Sequence, residues 1–274
     1  MSRIEDTFKR LKVEGRRGLI PFVTAGHPDL ATTGCLLPAL QRAGADIIEL
    51  GIPFSDPIAD GPVIQRSSQH ALANGVTLRK VLSLIADVRS ELHVSLVLFS
   101  YVNPVLKFGL DNFARAAASA GVDGVLLSDL SLEESVEVRE KLSANSIDLI
   151  LLAAPTSTEE RLRIIAESAS GFIYAVSRTG VTGTRNDLSD EAEELVRRLR
   201  QFTSLPVGVG FGISTAEQVA QVWKYAEAAV VGSAIVKQIE ENAGRPDLVE
   251  HVEEFVRLLA AAVGRPAKEG VYRC

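Results

Sequence analysis

Three segments of the chain combine glycine with hydroxyl side chains, a combination that could bind an anion. They are residues 179–183, 208–214 and 232–234, and the last two stand where helices are expected to begin. Backbone N–H groups at a helix N-terminus, uncrowded by side chains, attract phosphate and similar anions. Any one of these segments is better explained as a turn. Three of them at the ends of consecutive predicted strands favour phosphate binding, which we therefore predict.

Carboxylates are the candidates for acid–base chemistry. Glu49 stands between two apolar neighbours, so burial is expected to raise its pKa into the range useful for proton transfer. Asp56 and Asp60 belong to the loop 53–62, which contains three prolines. A structural ion pair explains a glutamate in a strand equally well, and acids in loops are usually solvated or capping. From these residues alone the role of Glu49 stays open, and the loop is only an ordered, unusual one.

The lysines and histidines argue against two other kinds of catalytic centre. A Schiff-base aldolase needs a lysine in its active site, and no lysine of this chain ends an apolar strand. A metal-dependent aldolase needs clustered histidines and acids, whereas the four histidines are scattered. His27 is the histidine closest to a predicted strand end, and we interpret it as a turn residue. We therefore expect chemistry based on carboxylates and hydrogen bonds, with no metal and no cofactor.

Composition and charge limit the class of protein. The 274 residues are 46% hydrophobic and 23% charged, ordinary values for a globular domain. The formal charge of -6 argues against binding to nucleic acid or anionic lipid. No apolar run approaches the ~18 residues of a membrane helix, and no signal or transit peptide is recognisable. With two distant cysteines, Cys35 and Cys274, we expect a cytoplasmic protein without disulfides.

The elements that must position the candidate residues alternate along the chain. Most of the apolar runs are too continuous for half-exposed antiparallel strands and are typical of strands buried on both faces. Helical patterns separate them, and Ile4, Phe8 and Leu11 indicate an amphipathic helix before the first run. We predict an α/β fold, a single (β/α)8 (TIM) barrel with an extra N-terminal helix, as one domain over residues 1–274. An open doubly wound sheet is the alternative. The eight runs are residues 19–24, 47–51, 94–100, 124–127, 149–153, 171–176, 206–209 and 229–231.

Capping patterns predict where several helices begin. Ser131, Thr156 and Ser214 each precede a glutamate by three residues, the spacing of a capping box. Pro38 falls inside the predicted helix 29–43, where it would remove a hydrogen bond and clash with the preceding turn. We expect a kink there, or a helix that begins close to Pro38.

The carboxyl ends of the strands meet at one end of such a barrel, which is the end that holds its active site. Glu49 and the glycine segments are expected to share this end. Singly, the bulky side chains near these strand ends are more easily explained as core residues. Together at one rim they predict an apolar cleft for a flat substrate. They are Phe22, Tyr101, Leu126, Tyr174 and Phe211.

Residues 48–65, with the sequence IELGIPFSDPIADGPVIQ, resemble the signature of the tryptophan synthase alpha chain. The agreement continues in order through segments 21–26, 101–104, 177–183, 210–214 and 232–236. The glycine segments alone would fit several phosphate-binding barrels, whereas the run at 48–65 is specific. The chain departs from the family pattern at 127–131, where serines replace common prolines, and at 226–229; neither departure touches the catalytic pair.

This resemblance implies a lyase of tryptophan biosynthesis that cleaves indole-3-glycerol phosphate to indole and glyceraldehyde 3-phosphate. It places catalysis at Glu49 and Asp60, with support from Tyr174. It also implies a partner, the tryptophan synthase beta chain, which holds pyridoxal phosphate and receives the indole in an alpha2beta2 heterotetramer. The loops around 53–60 and 178–190 would close over substrate and face that partner. Substrate binding falls on Phe22, Leu126, Thr182, Gly183, Phe211, Gly212, Gly232 and Ser233.

Three other functions remain open at this point. A free-standing indole-3-glycerol phosphate lyase that releases indole would have the same motifs. A phosphate-binding isomerase of histidine or tryptophan synthesis needs acids or a lysine at other strand ends, a pattern that we do not find. A catalytically silent barrel could serve as an allosteric or scaffolding partner, although the presence of Glu49 and Asp60 argues against it.

Overall fold

The computed structural model describes residues 2–177 and 190–263. Within these ranges the eight predicted strands are present, and their ends agree with the sequence-based ranges to within two residues. All eight contain three or more buried positions in succession, as expected for a sheet covered on both faces. The strands are β1 (Gly18–Thr24), β2 (Ile47–Gly51), β3 (Ser95–Ser100), β4 (Gly124–Leu127), β5 (Asp148–Ala153), β6 (Ile173–Val176), β7 (Val207–Gly210) and β8 (Ala228–Val231).

The sheet closes into a barrel. The strands are parallel and pair in chain order, and β1 also pairs with β8. The register sets Phe22 beside Glu49 on β1 and β2, and Tyr174 beside Gly208 on β6 and β7. The predicted TIM barrel is therefore confirmed, and the alternative of an open doubly wound sheet is wrong.

Helices connect the strands and cover the outside of the barrel. Short 3-10 turns at Arg89–Glu91 and Ala261–Val263 complete the described connections. The helices are α1 (Arg3–Val13), α2 (Leu30–Arg42), α3 (Pro62–Ala73), α4 (Leu78–Val88), α5 (Val102–Phe108), α6 (Leu110–Ala120), α7 (Ser135–Ser143), α8 (Glu159–Ser168), α9 (Asp190–Leu199), α10 (Ala216–Val222), α11 (Ser233–Glu241) and α12 (Leu248–Ala260).

Alternating side chains of each strand divide the apolar interior into two cores. The outer core lies between the sheet and the helices and includes Leu50 and Leu98. The inner core fills the barrel lumen and includes Ile47, Val97 and Leu126. Because Glu49 is two residues after Ile47 on the same strand, it projects into the lumen as well.

The extra N-terminal helix, α1, belongs to the inner core. Ile4, Phe8 and Leu11 are buried there, and the Phe8 ring lies 5.8 Å from the ring of Phe172. The Thr7 hydroxyl is 3.1 Å from the hydroxyl of Ser95, the first residue of β3. The helix therefore closes the N-terminal end of the barrel, opposite the end where the strands terminate. The predicted N-terminal helix is confirmed.

Three predicted helix caps are wrong by one to three residues. The Ser131 hydroxyl accepts a hydrogen bond from the Glu134 amide, but this pair forms a turn and α7 begins at Ser135. Helix α8 is capped by Thr158 rather than Thr156. Helix α10 is capped by Thr215 rather than Ser214, because Thr215 forms the reciprocal capping box with Gln218. For α8 and α10 a neighbouring threonine caps the helix instead, so the spacing alone could not choose, whereas α7 has no side-chain cap.

Helix α2 contradicts one of the two expectations for Pro38, a helix that begins close to it, and the expected kink remains a prediction. The helix runs from Leu30 to Arg42 with the proline inside it, and its N-cap is Asp29. It does not begin close to Pro38. The Asp29 side chain caps the Thr32 amide at 2.7 Å, so the helix start is fixed nine residues before the proline.

No helix among the described residues is long and apolar enough to cross a membrane. The same described ranges contain no group of three or more histidine, cysteine, aspartate or glutamate side chains arranged for a metal ion. The barrel elements span Gly18 to Ala260. The prediction of one domain over the whole chain remains a prediction.

Candidate active site

Glu49 lies in the barrel lumen with almost no contact with solvent. It is the third residue of β2, its side chain is 1% exposed, and its Oε1 atom has no hydrogen-bond partner. Burial disfavours the charged carboxylate and raises the pKa of Glu49 from 4.5 to about 8. The side chain is therefore an acid that holds its proton near neutral pH.

Glycine at position 51 makes room for the aromatic wall beside Glu49. A Cβ atom on Gly51 would lie 2.5 Å from the ring of Phe22, whose backbone pairs with Glu49. Phe22 also meets Phe99 edge to face, with ring centroids 5.5 Å apart. The sequence Glu-Leu-Gly thus places a carboxyl group and an aromatic ring at the same level of the lumen.

Tyr174 faces the same lumen from β6, on the far side of the barrel. A Cβ atom on Gly210 would lie 2.0 Å from the Tyr174 hydroxyl, so only glycine leaves space for this side chain. Burial raises the pKa of Tyr174 above its ordinary value, and the nearby charges of Glu49 and Asp60 raise it further. Both acids are therefore within electrostatic range of Tyr174, which belongs to the inner core of the barrel.

Tyr101 holds the loop that carries Asp60 at the rim of the barrel. The Asp60 side chain is 5% exposed, and burial raises the pKa of Asp60 to about 6, an effect that a hydrogen bond with the Tyr101 hydroxyl partly offsets. The same hydroxyl accepts a hydrogen bond from the Ala59 amide at 3.0 Å. The Gln65 side chain donates to the Asp60 carbonyl at 2.8 Å. The loop that carries Asp60 is thus held at two adjacent residues, at Ala59 by Tyr101 and at Asp60 by Gln65.

Tyr101 was predicted only as part of the apolar cleft, and its contact with the loop that carries Asp60 was not predicted. Its position directly after β3 was available as a signal. Its partners, Ala59 and Asp60, are more than 40 positions away in the chain, so the contact could not be deduced from spacing.

Phe211 and Leu126 complete the apolar walls. The Phe211 ring meets Tyr174 edge to face at 6.0 Å, and Leu126 is fully buried among the lumen residues. Phe211 has a φ angle of 76° and Gly212 one of 81°, so two consecutive residues adopt the left-handed region. This conformation is unfavourable for a bulky aromatic residue, and such strain is typical of functional sites. The Ser177 hydroxyl donates to the Phe211 carbonyl and supports the turn.

Two of the predicted phosphate residues, Gly232 and Ser233, lie at the start of α11. Gly232 is the N-cap of this helix, and no side chain caps it, which leaves the amide of Ser233 available to an anion. The Cβ position of Gly232 is 3.6 Å from Phe22, which joins this helix start to the aromatic wall. Thr182 and Gly183, also predicted for substrate binding, lie outside the described residues.

His27 lies in the turn after β1, as predicted. Its ring packs edge to face against His70, with centroids 5.2 Å apart. Burial, followed by the neighbouring charge of His70, lowers the pKa of His27.

Comparison with known proteins agrees with this geometry. A profile of the tryptophan synthase alpha chain family matches residues 8–264. The alpha chain of Geobacter sulfurreducens is 50% identical over 264 residues, which are 96% of this chain and 100% of the relative. That of Solibacter usitatus is 48% identical over 97% of this chain and 100% of its own length.

Solved structures give the same result. The alpha subunit from Legionella pneumophila superposes with a TM-score of 0.89 at 34% identity, covering 96% of this chain and 98% of that one. A chain of tryptophan synthase from Mycobacterium tuberculosis, in its aminoacrylate-bound form, has a TM-score of 0.86 at 35% identity and covers 96% and 100%. Together, the matched residues, the shared length and the fold show that this chain belongs to the tryptophan synthase alpha chain family.

Proposed function

We propose that this chain cleaves indole-3-glycerol phosphate to indole and glyceraldehyde 3-phosphate, with Glu49 as the proton-transfer group and Asp60 as the stabiliser of the indole ring. The observation that supports this proposal is the buried Glu49 carboxyl group, whose Oε1 atom has no hydrogen-bond partner and which, with Asp60, lies within electrostatic range of Tyr174. A carboxyl group that keeps its proton near pH 7 is suited to protonating carbon.

The reaction needs one proton delivered and one removed. Protonation of indole C3 converts the ring into an iminium ion that can accept the electrons of the bond to the side chain. Removal of the proton from the adjacent hydroxyl then forms the aldehyde, breaks the carbon–carbon bond and restores the neutral ring. Glu49 gives the first proton and receives the second, so it ends in its starting state.

The different environments of the two acids support these roles. With pKa values of about 8 and about 6, Glu49 is mostly protonated and Asp60 mostly ionised at pH 7. A protonated carboxyl group donates, whereas a carboxylate accepts the indole N–H and stabilises positive charge on the ring. Tyr174, close to both acids, is proposed to orient Glu49.

The walls of the cavity suit the rest of the substrate. Phe22, Leu126 and Phe211 offer apolar surface to a flat indole ring, and the start of α11 offers backbone amides to the phosphate. Thr182, Gly183 and Gly212 are proposed phosphate contacts by family resemblance. Binding energy from the distant phosphate can position the bond that breaks.

The proposed reaction uses no cofactor of this chain, because the two carboxyl groups supply both proton transfer and charge stabilisation. We also propose a cytoplasmic location, which a biosynthetic enzyme of this family suggests.

A tryptophan synthase beta chain is the proposed partner, in an alpha2beta2 heterotetramer, and pyridoxal phosphate would belong to that chain. Ile58, in the loop that carries Asp60, is 83% exposed, and Leu106 on the adjacent helix α5 is 59% exposed. Large apolar side chains on one rim favour contact with another protein. Transfer of indole to this partner would prevent a small apolar product from diffusing away.

The experiment that tests the function is a turnover assay. The purified chain is mixed with indole-3-glycerol phosphate, with and without a beta chain, and indole is followed. The proposal expects indole release that the beta chain accelerates. Equal rates in both reactions would favour a free-standing lyase, and no indole in either would leave the barrel as a silent scaffold.

A further inference from the structure

A cavity of about 320 Å³ opens at the rim between α3, α11, α12 and the loop after β7. Ser233, at the start of α11, is shared between this cavity and the proposed phosphate site. Lys237 is the one charged residue among the lining side chains, and none of them is acidic. The lining consists of Val63, Ser214, Ser233, Ala234, Lys237, Gln238 and Phe255.

Lys237 lies one helical turn after the start of α11. The lysine is four residues after Ser233, so the two lie on the same face of the helix, about 6 Å apart along its axis. Side chains in helices lean toward the N-terminus, and the four-carbon stem of lysine is flexible. The ammonium group can therefore reach an anion bound to the first-turn amides.

The present partner of Lys237 holds it only weakly. Its ammonium group is 3.5 Å from Glu241, and the two side chains are 59% and 53% exposed. Ion pairs at such exposed positions contribute little to stability. By contrast, Arg66, a cation on the neighbouring helix α3, is fixed by a two-point contact with Glu240 at 2.8 and 2.9 Å. Of these two cations, Lys237 is therefore the one whose charged group can change partner.

We propose that Lys237 is a specificity-determining residue for the substrate's phosphate group, and that its ammonium group moves from Glu241 to the phosphate when the substrate binds. The inference rests on the proposed function, because it takes the anion to be the phosphate of indole-3-glycerol phosphate. The start of a helix carries about half a positive charge, which only partly balances a phosphate dianion. Lys237 supplies the remaining attraction and favours phosphorylated over unphosphorylated indole glycerol.

The test compares Lys237→Gln, Lys237→Arg and the matched control Lys224→Gln, which neutralises an exposed lysine away from the cavity. The probe is glycerol 3-phosphate, and its Kd is measured by calorimetry at low and high salt. Loss of the charge should weaken binding about threefold to fivefold at low salt, the upper range for an exposed ion pair, and less at high salt. The KM for indole-3-glycerol phosphate should rise equally while kcat stays within about twofold, because the group does not touch the reacting bond.

A second variant tests the change of partner. Glu241→Gln removes the competitor for Lys237 and should tighten glycerol 3-phosphate binding by up to about twofold, the worth of a helical ion pair. Lys237→Arg should keep most of the affinity.

Two outcomes separate this inference from the proposed function. If Lys237→Gln and Lys224→Gln bind glycerol 3-phosphate equally well, or if the parent does not bind it, the role of Lys237 is refuted. If the parent binds the probe with the expected dependence on Lys237 but releases no indole from indole-3-glycerol phosphate with or without a beta chain, the proposed function fails and the role of Lys237 stands.

Discussion

Replacement of Glu49 by glutamine separates the chemical role of this side chain from its effect on stability. Glutamine keeps the size of the side chain but can neither give nor receive a proton. General acid–base groups typically contribute ~100- to 10,000-fold to a rate, so turnover of indole-3-glycerol phosphate should fall by that range. Binding of glycerol 3-phosphate should change by less than about threefold, because the proposed phosphate contacts lie on other strands and helices.

The same substitution should raise the free energy of unfolding above that of the parent, by an amount that grows as pH rises. In the folded state the pKa of Glu49 is about 8, against 4.5 when the side chain is solvated. Between these two pH values the folded state holds a proton that the unfolded state has released, so stability declines with rising pH. Each unit of pKa is worth about 1.4 kcal/mol, and the whole loss is of the order of 5 kcal/mol by pH 8. Glu49→Gln removes this loss.

Urea unfolding at pH 5 and pH 8 measures the stability effect, and a turnover assay on the same preparations measures the rate. The control is Glu133→Gln, because the Glu133 side chain is 76% exposed and should show neither effect. A Glu49→Gln variant within tenfold of the parent rate would refute the catalytic assignment. A free-energy difference between variant and parent that does not grow from pH 5 to pH 8 would refute the buried, protonated state of the carboxyl group.

Three further substitutions test the surroundings of Glu49. Asp60→Asn should lower turnover about 100-fold or more, because the charge that stabilises the indole ring is lost. The Kd of glycerol 3-phosphate, measured by calorimetry, should stay within about threefold. A normal rate would contradict this role of Asp60. Tyr101→Phe removes the hydrogen bond that lowers the pKa of Asp60. The acid limb of the plot of kcat/KM against pH, expected near pH 6, should therefore move to higher pH. A limb that does not move would contradict the contact between Tyr101 and Asp60. Gly210→Ala places a Cβ atom 2.0 Å from the Tyr174 hydroxyl and should destabilise the protein by about 1–3 kcal/mol in urea unfolding. A second substitution, Tyr174→Phe, should partly reverse this loss. Equal stability of the parent and Gly210→Ala would contradict the tight fit.

The fold was predictable because its pattern repeats. Eight runs of buried side chains, each followed by a helical pattern, allow few arrangements, and a parallel sheet of this length buries its edges by closing. Helix starts were less predictable. Ser214 and Thr215 offer adjacent hydroxyl groups, and only the reciprocal bond between Thr215 and Gln218 decides which one caps α10. The free-energy difference between such neighbours is small.

The site was predictable in its composition but not in its contacts. The position of Glu49 in β2 follows from strand periodicity, whereas its assignment as catalytic came from resemblance to a family. The spacing of the sequence contained no sign that Tyr101 would hold Asp60, or that Gly210 would leave space for Tyr174. Such contacts depend on the register between strands, which a single sequence does not specify. The left-handed conformation of Phe211 was equally hidden, because aromatic residues rarely adopt it.

One end of the barrel contributes mainly to stability, and the other end holds the groups proposed for catalysis. At the N-terminal end, Ile4, Phe8 and Leu11 of α1 pack against Phe172 and close the lumen with apolar contacts. Near the C-terminal end the lumen holds an unpaired carboxyl group, and the rim holds an aromatic residue in a strained conformation. A buried acid with a raised pKa can persist only where other packing offsets its free-energy cost. Helix α1 supplies such packing at the opposite end of the barrel, and this separation lets the lumen keep a carboxyl group that is poorly solvated enough to protonate carbon.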